Sequence, residues 1–164
     1  MQFEIHLLDA SFNRDQFNCG NEELNKFLRQ LARQHQDKNI SRTFVAIEAG
    51  DEKKRVLGFY SQSMAEIDLS SLPQDIQKKL PRHPIPAARI GRFATDVSIQ
   101  GQGLGKHLLV DSLRRVKSIS QSIGVFAVIV DAKDQKAKEF YLKFNFSGSA
   151  INPMELYYPV KSIP

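Results

Sequence analysis

The sequence predicts an α/β domain, and three observations lead there. Residues 43–49 and 55–64 read as two strands joined by a charged turn, residues 125–130 form an almost wholly apolar, β-branched run, and apolar residues at helical spacing stand on both sides of that run. Strand, helix, strand, helix and strand thus follow one another in the C-terminal half, which implies an α/β layer with a right-handed crossover.

Each element has its own signal. Residues 1–9 alternate apolar and polar, with Phe3, Ile5 and Leu7 on one face, as an edge strand does. After a turn-like stretch at 13–20, Asn21 can cap a helix whose first turn carries Glu22 and Glu23. Leu24, Phe27, Leu28 and Leu31 give this helix an apolar face, with Lys26, Arg29 and Arg33 opposite. Those cations are either a solvated surface or a ridge for phosphates. The hairpin follows, turning at residues 50–54. Residues 70–86 are rich in proline and polar side chains and read as a long loop with one short helix at 74–80. A strand at 88–97 leads through a glycine cluster into a helix from about residue 103 to 121, with Leu108 or Leu109, Leu113, Val116 and Ile119 as its buried side. The apolar run 125–130 is a strand covered on both faces. Asp134 can cap a last helix, in which Ala137, Phe140, Tyr141 and Phe144 share a face. Asn145 ends it in the left-handed conformation, and residues 154–158 form a final strand. With no repeat, low-complexity tract or linker, residues 1–164 read as one domain.

Composition narrows the class. The hydrophobic fraction of 41% and charged fraction of 25% are those of a soluble globular protein, and no apolar run approaches the length of a membrane span. Cys19 is the only cysteine, so no internal disulfide is expected; with no signal peptide in view, a reducing, cytoplasmic setting is the expectation. The four histidines lack partner cysteines at ligand spacing, and no metal site is expected. A net charge of +5 suits an anionic partner, a phosphate-bearing cofactor or a nucleic acid, but also a plain basic protein.

The glycine cluster is sharper. A Walker A loop fails because Gly105-Lys106 is followed by His107 and position 100 is Gln. The dinucleotide fingerprint starts at Gly101 and Gly103 but meets Lys106 where a small residue is required. Gln100-Gly101-Gln102-Gly103-Leu104-Gly105 fits Gln-x-x-Gly-x-Gly, with a strand before it and a helix after. Glycines let backbone amides approach an anion, and the helix start adds unpaired N–H donors. Such a turn either holds a pyrophosphate or merely joins strand to helix.

Residues 93–105 and 134–146, in this order and separated by a helix and a buried strand, resemble the two motifs of the GCN5-related N-acetyltransferase superfamily. That resemblance implies a mixed, mostly antiparallel sheet of six to seven strands with helices on both faces and splayed central strands. It implies acetyl-CoA as cosubstrate. The backbone of Phe93, Ala94 and Thr95 would take the pantetheine arm and polarise the acetyl carbonyl. The amides of Gln100, Gly101, Gln102, Gly103, Leu104, Gly105 and Lys106 would cradle the pyrophosphate, with Phe140 beside the coenzyme and Tyr141 near the sulfur. Asp134 stands where many members have asparagine, and Asn145 where many have glycine.

A narrower likeness runs nearly end to end. Phe17-Asn18-Cys19-Gly20-Asn21-Glu22-Glu23-Leu24, Ser41-Arg42-Thr43-Phe44 and Gly91-Arg92-Phe93-Ala94-Thr95-Asp96 resemble the tRNA-acetylating toxins of bacterial toxin–antitoxin pairs. This implies acetylation of the α-amino group of aminoacyl-tRNA, a block of translation and a ribbon-helix-helix antitoxin as partner. Members often dimerise, so a homodimer is a further expectation. Lys26, Arg29, Arg33, Arg89 and Arg92 are the tRNA-binding candidates; for Arg92 an ion pair within the fold is the alternative. An aminoacyl ester's amine is partly neutral near pH 7, so a strong general base is less necessary, which leaves water or a side chain to take the proton. The leaving thiolate needs a proton, which a tyrosine hydroxyl of pKa about 10 can give to a thiolate whose acid has a pKa of about 8.5. Tyr141 is therefore either the general acid or one more core aromatic. Other readings are acetylation of a protein N-terminus or small amine, and a non-catalytic coenzyme-binding regulatory domain.

Overall fold

The structure is a computed structural model that describes residues 1–164. Its strands are β1 (Phe3–Leu7), β2 (Arg42–Glu48), β3 (Gly58–Ile67), β4 (Ile85–Thr95), β5 (Ala127–Asp131), β6 (Ser147–Gly148) and β7 (Glu155–Pro159). They form one seven-stranded sheet in the order β1-β2-β3-β4-β5-β7-β6. β4 and β5 run parallel; the pairs β1–β2, β2–β3, β5–β7 and β6–β7 are antiparallel. The helices are α1 (Glu22–Lys26), α2 (Ala32–Asp37), α3 (Gln74–Gln77), α4 (Leu104–Ile119) and α5 (Gln135–Lys143). No helix is long and apolar enough to cross a membrane. The chain divides into two compact units, residues 1–63 with 91–112 and residues 64–90 with 113–164.

In the first unit, β1 is the edge strand its alternation predicts. Its apolar face is only half-used, with Leu7 48% exposed. The hairpin pairs Arg42↔Gln62 through Ala46↔Gly58. Beneath it, the rings of Phe17 and Phe27 meet Phe59 at 5.5 and 6.1 Å. Each of these buried rings contributes roughly 1.5–3 kcal/mol.

The helix after Asn21 begins as its sequence dictates, with the Asn21 side chain accepting from the Leu24 amide at 3.1 Å. It is not one helix. Residues Phe27–Leu31 form a π-turn between α1 and α2. Phe27, Leu28 and Ala32 are all buried, and one extra residue in the turn brings these three side chains to the same core. The Arg14 guanidinium donates to the Leu28 carbonyl inside this wider turn at 2.9 Å. Periodicity at 3.6 residues carries no sign of such an insertion.

In the second unit, β4 and β5 pair from Ala87↔Ala127 to Ile90↔Val130. Residues 127–130 are buried throughout, as a strand covered on both faces must be. Helix α5 opens on Asp134, whose carboxylate accepts the Ala137 amide at 2.8 Å. It closes at Asn145, where φ is +71°. The departure from asparagine at position 134 is thus explained by capping, since either side chain supplies the acceptor. The expectation for Ile119 is corrected: it is 45% exposed, in the closing turn where its carbonyl accepts the Ser122 and Ile123 amides.

Candidate active site

The first unit carries the glycine turn. Strand β4 runs five residues past its last pair with β5, through Phe93, Ala94 and Thr95. The chain then turns at Asp96 and enters α4 at Leu104. Gly101 and Gly103 have φ of +82° and +88°, a conformation that L side chains rarely adopt. A Cβ on either would meet nothing within 4 Å, so these glycines are required by backbone conformation and not by crowding. Gly105 is helical. The first amide to bond back along α4 is that of His107, to the Gly103 carbonyl at 3.2 Å. Those of Leu104, Gly105 and Lys106 have no earlier helical carbonyl to reach, which leaves donors at the positive end of a 16-residue helix. The Leu104 side chain is buried as an anchor, and Lys106 is exposed.

Gln100 contributes by its side chain in an unexpected way. Its amide donates to the Thr95 carbonyl at 3.1 Å and to the Cys19 carbonyl at 3.4 Å. It fastens the turn to the loop before α1.

A second fastening is Asp96, to which sequence reasoning gave no role. Its carboxylate, 2% exposed, accepts the Asn18 amide at 3.0 Å, the Ser98 amide at 2.9 Å and the Ser98 hydroxyl at 2.7 Å. The Arg55 guanidinium lies 3.7 Å away. Burial alone would raise this carboxyl's pKa; the donors from Asn18 and Ser98 and the charge of Arg55 outweigh it and hold the group below the usual carboxylate range. Around it, the Val97 amide donates to the Asn18 carbonyl at 2.8 Å. Buried Asn25 accepts the Cys19 amide at 2.8 Å and donates to the Asn18 side chain at 3.1 Å. Residues 17–25 and 95–100 are therefore one hydrogen-bonded body. The available signal was Asn25 itself, a polar residue on the buried side of its helix.

The basic candidates separate. Lys26 and Arg33 are exposed. Arg29 is not on an open face: its guanidinium donates to the Phe17 carbonyl at 2.8 Å, and its Nε is buried. The Arg92 guanidinium lies over the Phe27 ring, 4.3 Å from its centre, and its amide donates to the buried Ser61 hydroxyl at 3.0 Å. The internal partner allowed for Arg92 is thus an aromatic ring rather than a carboxylate.

The second unit carries Tyr141, Phe140 and Arg89. Tyr141 is 6% exposed, its ring 5.3 Å from that of Phe140 and 5.4 Å from that of Phe146. The turn at Asn145 returns the chain so that the Phe146 amide reaches the Tyr141 carbonyl at 3.2 Å. Burial pushes the Tyr141 hydroxyl well above the ordinary tyrosine range, so it stays protonated through neutral pH. Arg89 is paired with Asp131 on the neighbouring strand. No group of histidine, cysteine and acidic residues is arranged to hold a metal.

No protein-family model matches the chain. It is 34% identical over 140 residues to a tRNA-acetylating toxin of Mycobacterium tuberculosis, covering 85% of this chain and 81% of the relative. Among solved structures, a tyrosine-to-phenylalanine mutant of KacT matches with TM-score 0.95 and 35% identity, over 99% of this chain and 98% of that one. AtaT complexed with acetyl-methionyl-tRNAfMet matches at 0.91 and 34%, over 99% and 97%. A mutant AtaT toxin bound to acetyl-CoA and the C-terminus of the antitoxin AtaR matches at 0.81 and 30%, over 98% and 95%. The identity and near-complete coverage of both chains carry more than the fold alone, and the chain belongs to the tRNA-acetylating toxins of the GCN5-related N-acetyltransferase superfamily.

Proposed function

We propose that this protein is an acetyl-CoA-dependent toxin that acetylates the α-amino group of aminoacyl-tRNA and so blocks translation. The observation that carries it is the glycine turn at the start of α4, in a chain of this family: two left-handed glycines and a helix start offer amides to a pyrophosphate. In this reading the amides of residues 100–106 hold the pyrophosphate. The backbone of Phe93, Ala94 and Thr95 takes the pantetheine arm and polarises the thioester carbonyl, and Phe140 stands beside the coenzyme. The amine nitrogen forms its bond to the acetyl carbon as the carbon–sulfur bond breaks; water takes the ammonium proton, and Tyr141 supplies one to the departing sulfur. Burial makes this hydroxyl a weaker acid than an ordinary tyrosine, so the general-acid role rests on its place in the family's second motif and not on its pKa; negative charge developing on the sulfur must draw the proton out. Lys26 and Arg33 remain candidates for tRNA phosphates. The whole chain acts as one catalytic domain in the cytoplasm, with a ribbon-helix-helix antitoxin and a second copy of itself as partners.

The test is acceptor choice. Offered labelled acetyl-CoA with aminoacyl-tRNA, a short peptide with a free N-terminus, or a small amine, the protein is expected to label the first at least about a hundredfold faster at equal concentration, because phosphate contacts contribute to binding only there. Equal labelling of peptide and aminoacyl-tRNA would replace this reading with a protein or small-amine acetyltransferase.

A further inference from the structure

The segment between β3 and β4 carries α3 and the prolines Pro73, Pro81 and Pro84. It is anchored from one side: Leu69, Leu72, Ile76 and Leu80 pack on a core that includes Ile67, Ile85, Ala127 and Tyr157. The Gln77 amide donates to the Leu72 carbonyl at 2.7 Å, and Asp68 accepts the Ser70 amide and hydroxyl at 2.9 and 2.7 Å. What this anchored segment presents outward is charge. Lys78, Lys79, Arg82 and His83 are all exposed, four basic side chains within six residues. Lys78, Arg82 and His83 line a groove of about 940 Å³ that Glu66 and Asp68 also line, and Lys79 adjoins Lys78 in the chain.

These cations differ from the ones first singled out. Arg29, Arg92 and Arg89 each have one internal partner for the guanidinium, the Phe17 carbonyl, the Phe27 ring and Asp131. Lys78, Lys79 and Arg82 make no ion pair, although Glu66 and Asp68 line the same groove. Three like charges repel one another, and a fold that leaves them unneutralised on a segment stiffened by Pro81, Pro84 and Pro86 presents them to an anion at low entropic cost.

We propose that Lys78, Lys79 and Arg82, with His83, form a rim that grips the phosphate backbone of the tRNA. This rests on the reading of aminoacyl-tRNA as acceptor. Phosphate contacts position without reading sequence, so the rim sets affinity and orientation and leaves the choice of amino acid to other groups.

The experiment measures binding of one charged tRNA against salt concentration. Removing three phosphate contacts in Lys78→Gln/Lys79→Gln/Arg82→Gln is expected to reduce the slope of log affinity against log salt by about 2 to 3, and to weaken binding roughly tenfold or more at low salt. Acetyl-CoA affinity and melting temperature are expected to stay unchanged, as the side chains are exposed. Lys143→Gln/Lys161→Gln, also exposed and in the same unit, is expected to leave the slope unaltered. An unchanged slope in the triple variant, or an equal loss in the control pair, overturns the rim while leaving the acetyltransferase reading intact. Absence of tRNA binding by the unaltered protein overturns both, and shows before any substitution is made. If the rim instead serves an acidic protein tail, the triple variant keeps its tRNA slope, which overturns the proposal.

Discussion

Replacing Tyr141 with phenylalanine is expected to lower kcat for acetyl transfer by roughly 10²–10⁴-fold, the range for loss of a positioned general acid. The substitution keeps the ring that meets Phe140 and Phe146, so the hydrophobic cluster at the end of α5 survives. Acetyl-CoA affinity, read by calorimetry, is expected to stay within about threefold, because the pyrophosphate and pantetheine are assigned to backbone amides. The pH profile adds a second check. Burial raises the Tyr141 pKa, so the hydroxyl keeps its proton well past pH 10, and the rate is expected to rise as the acceptor amine deprotonates near pH 8, with no descending limb from the tyrosine. The same shift has a stability consequence. A neutral buried phenol contributes fully below the unfolded pKa of about 10, and its contribution fades as pH climbs toward the folded value. An unchanged kcat in Tyr141→Phe would return Tyr141 to the role of core aromatic.

Asp96→Asn is expected to damage the turn more than any single glycine would. The carboxylate accepts from three donors, and an asparagine must turn its own NH₂ toward at least one of them. Each charge-assisted bond lost is worth about 1.5–3 kcal/mol. Because the Asn18 bond ties the loop before α1 to the turn, the acetyl-CoA KM is expected to rise about tenfold while kcat at saturation falls much less. A purely structural role would lower the melting temperature and leave KM alone. The sign with pH is fixed by the direction of the shift. Asp96 titrates below its unfolded value of about 3.9, so its contribution is complete above that value and disappears as pH falls through the folded pKa. The variant is expected to lose that part of the acid-induced destabilisation.

Comparison of sequence and structure shows where local pattern suffices. Six of the seven strands and α5 were legible because each depends on near neighbours: alternation at β1, an unbroken apolar run at β5, a cap at Asp134 and a left-handed stop at Asn145; the two-residue β6 carries no such pattern. The glycine turn was legible because few residues tolerate φ near +85°. The π-turn was not, since it depends on which side chains the core accepts and on Arg14 arriving from elsewhere to meet the Leu28 carbonyl. The fate of Arg29 was hidden for a related reason. A basic residue at helical spacing looks solvent-facing until a carbonyl such as that of Phe17 is placed within its reach. For Arg92, on β4, an internal partner was open, but not that it is a ring. Asp96 stood inside a quoted motif, but its three donors come from positions 18 and 98, and only the folded loop brings the first of them close.

The central claim is that the acceptor is the amino group of an amino acid already esterified to tRNA. Incubating the protein with labelled acetyl-CoA and the same tRNA in charged and uncharged form tests it most directly. The account predicts label on the charged tRNA alone, released with the amino acid when the ester is hydrolysed by mild base. Label on uncharged tRNA, or on neither, would contradict it.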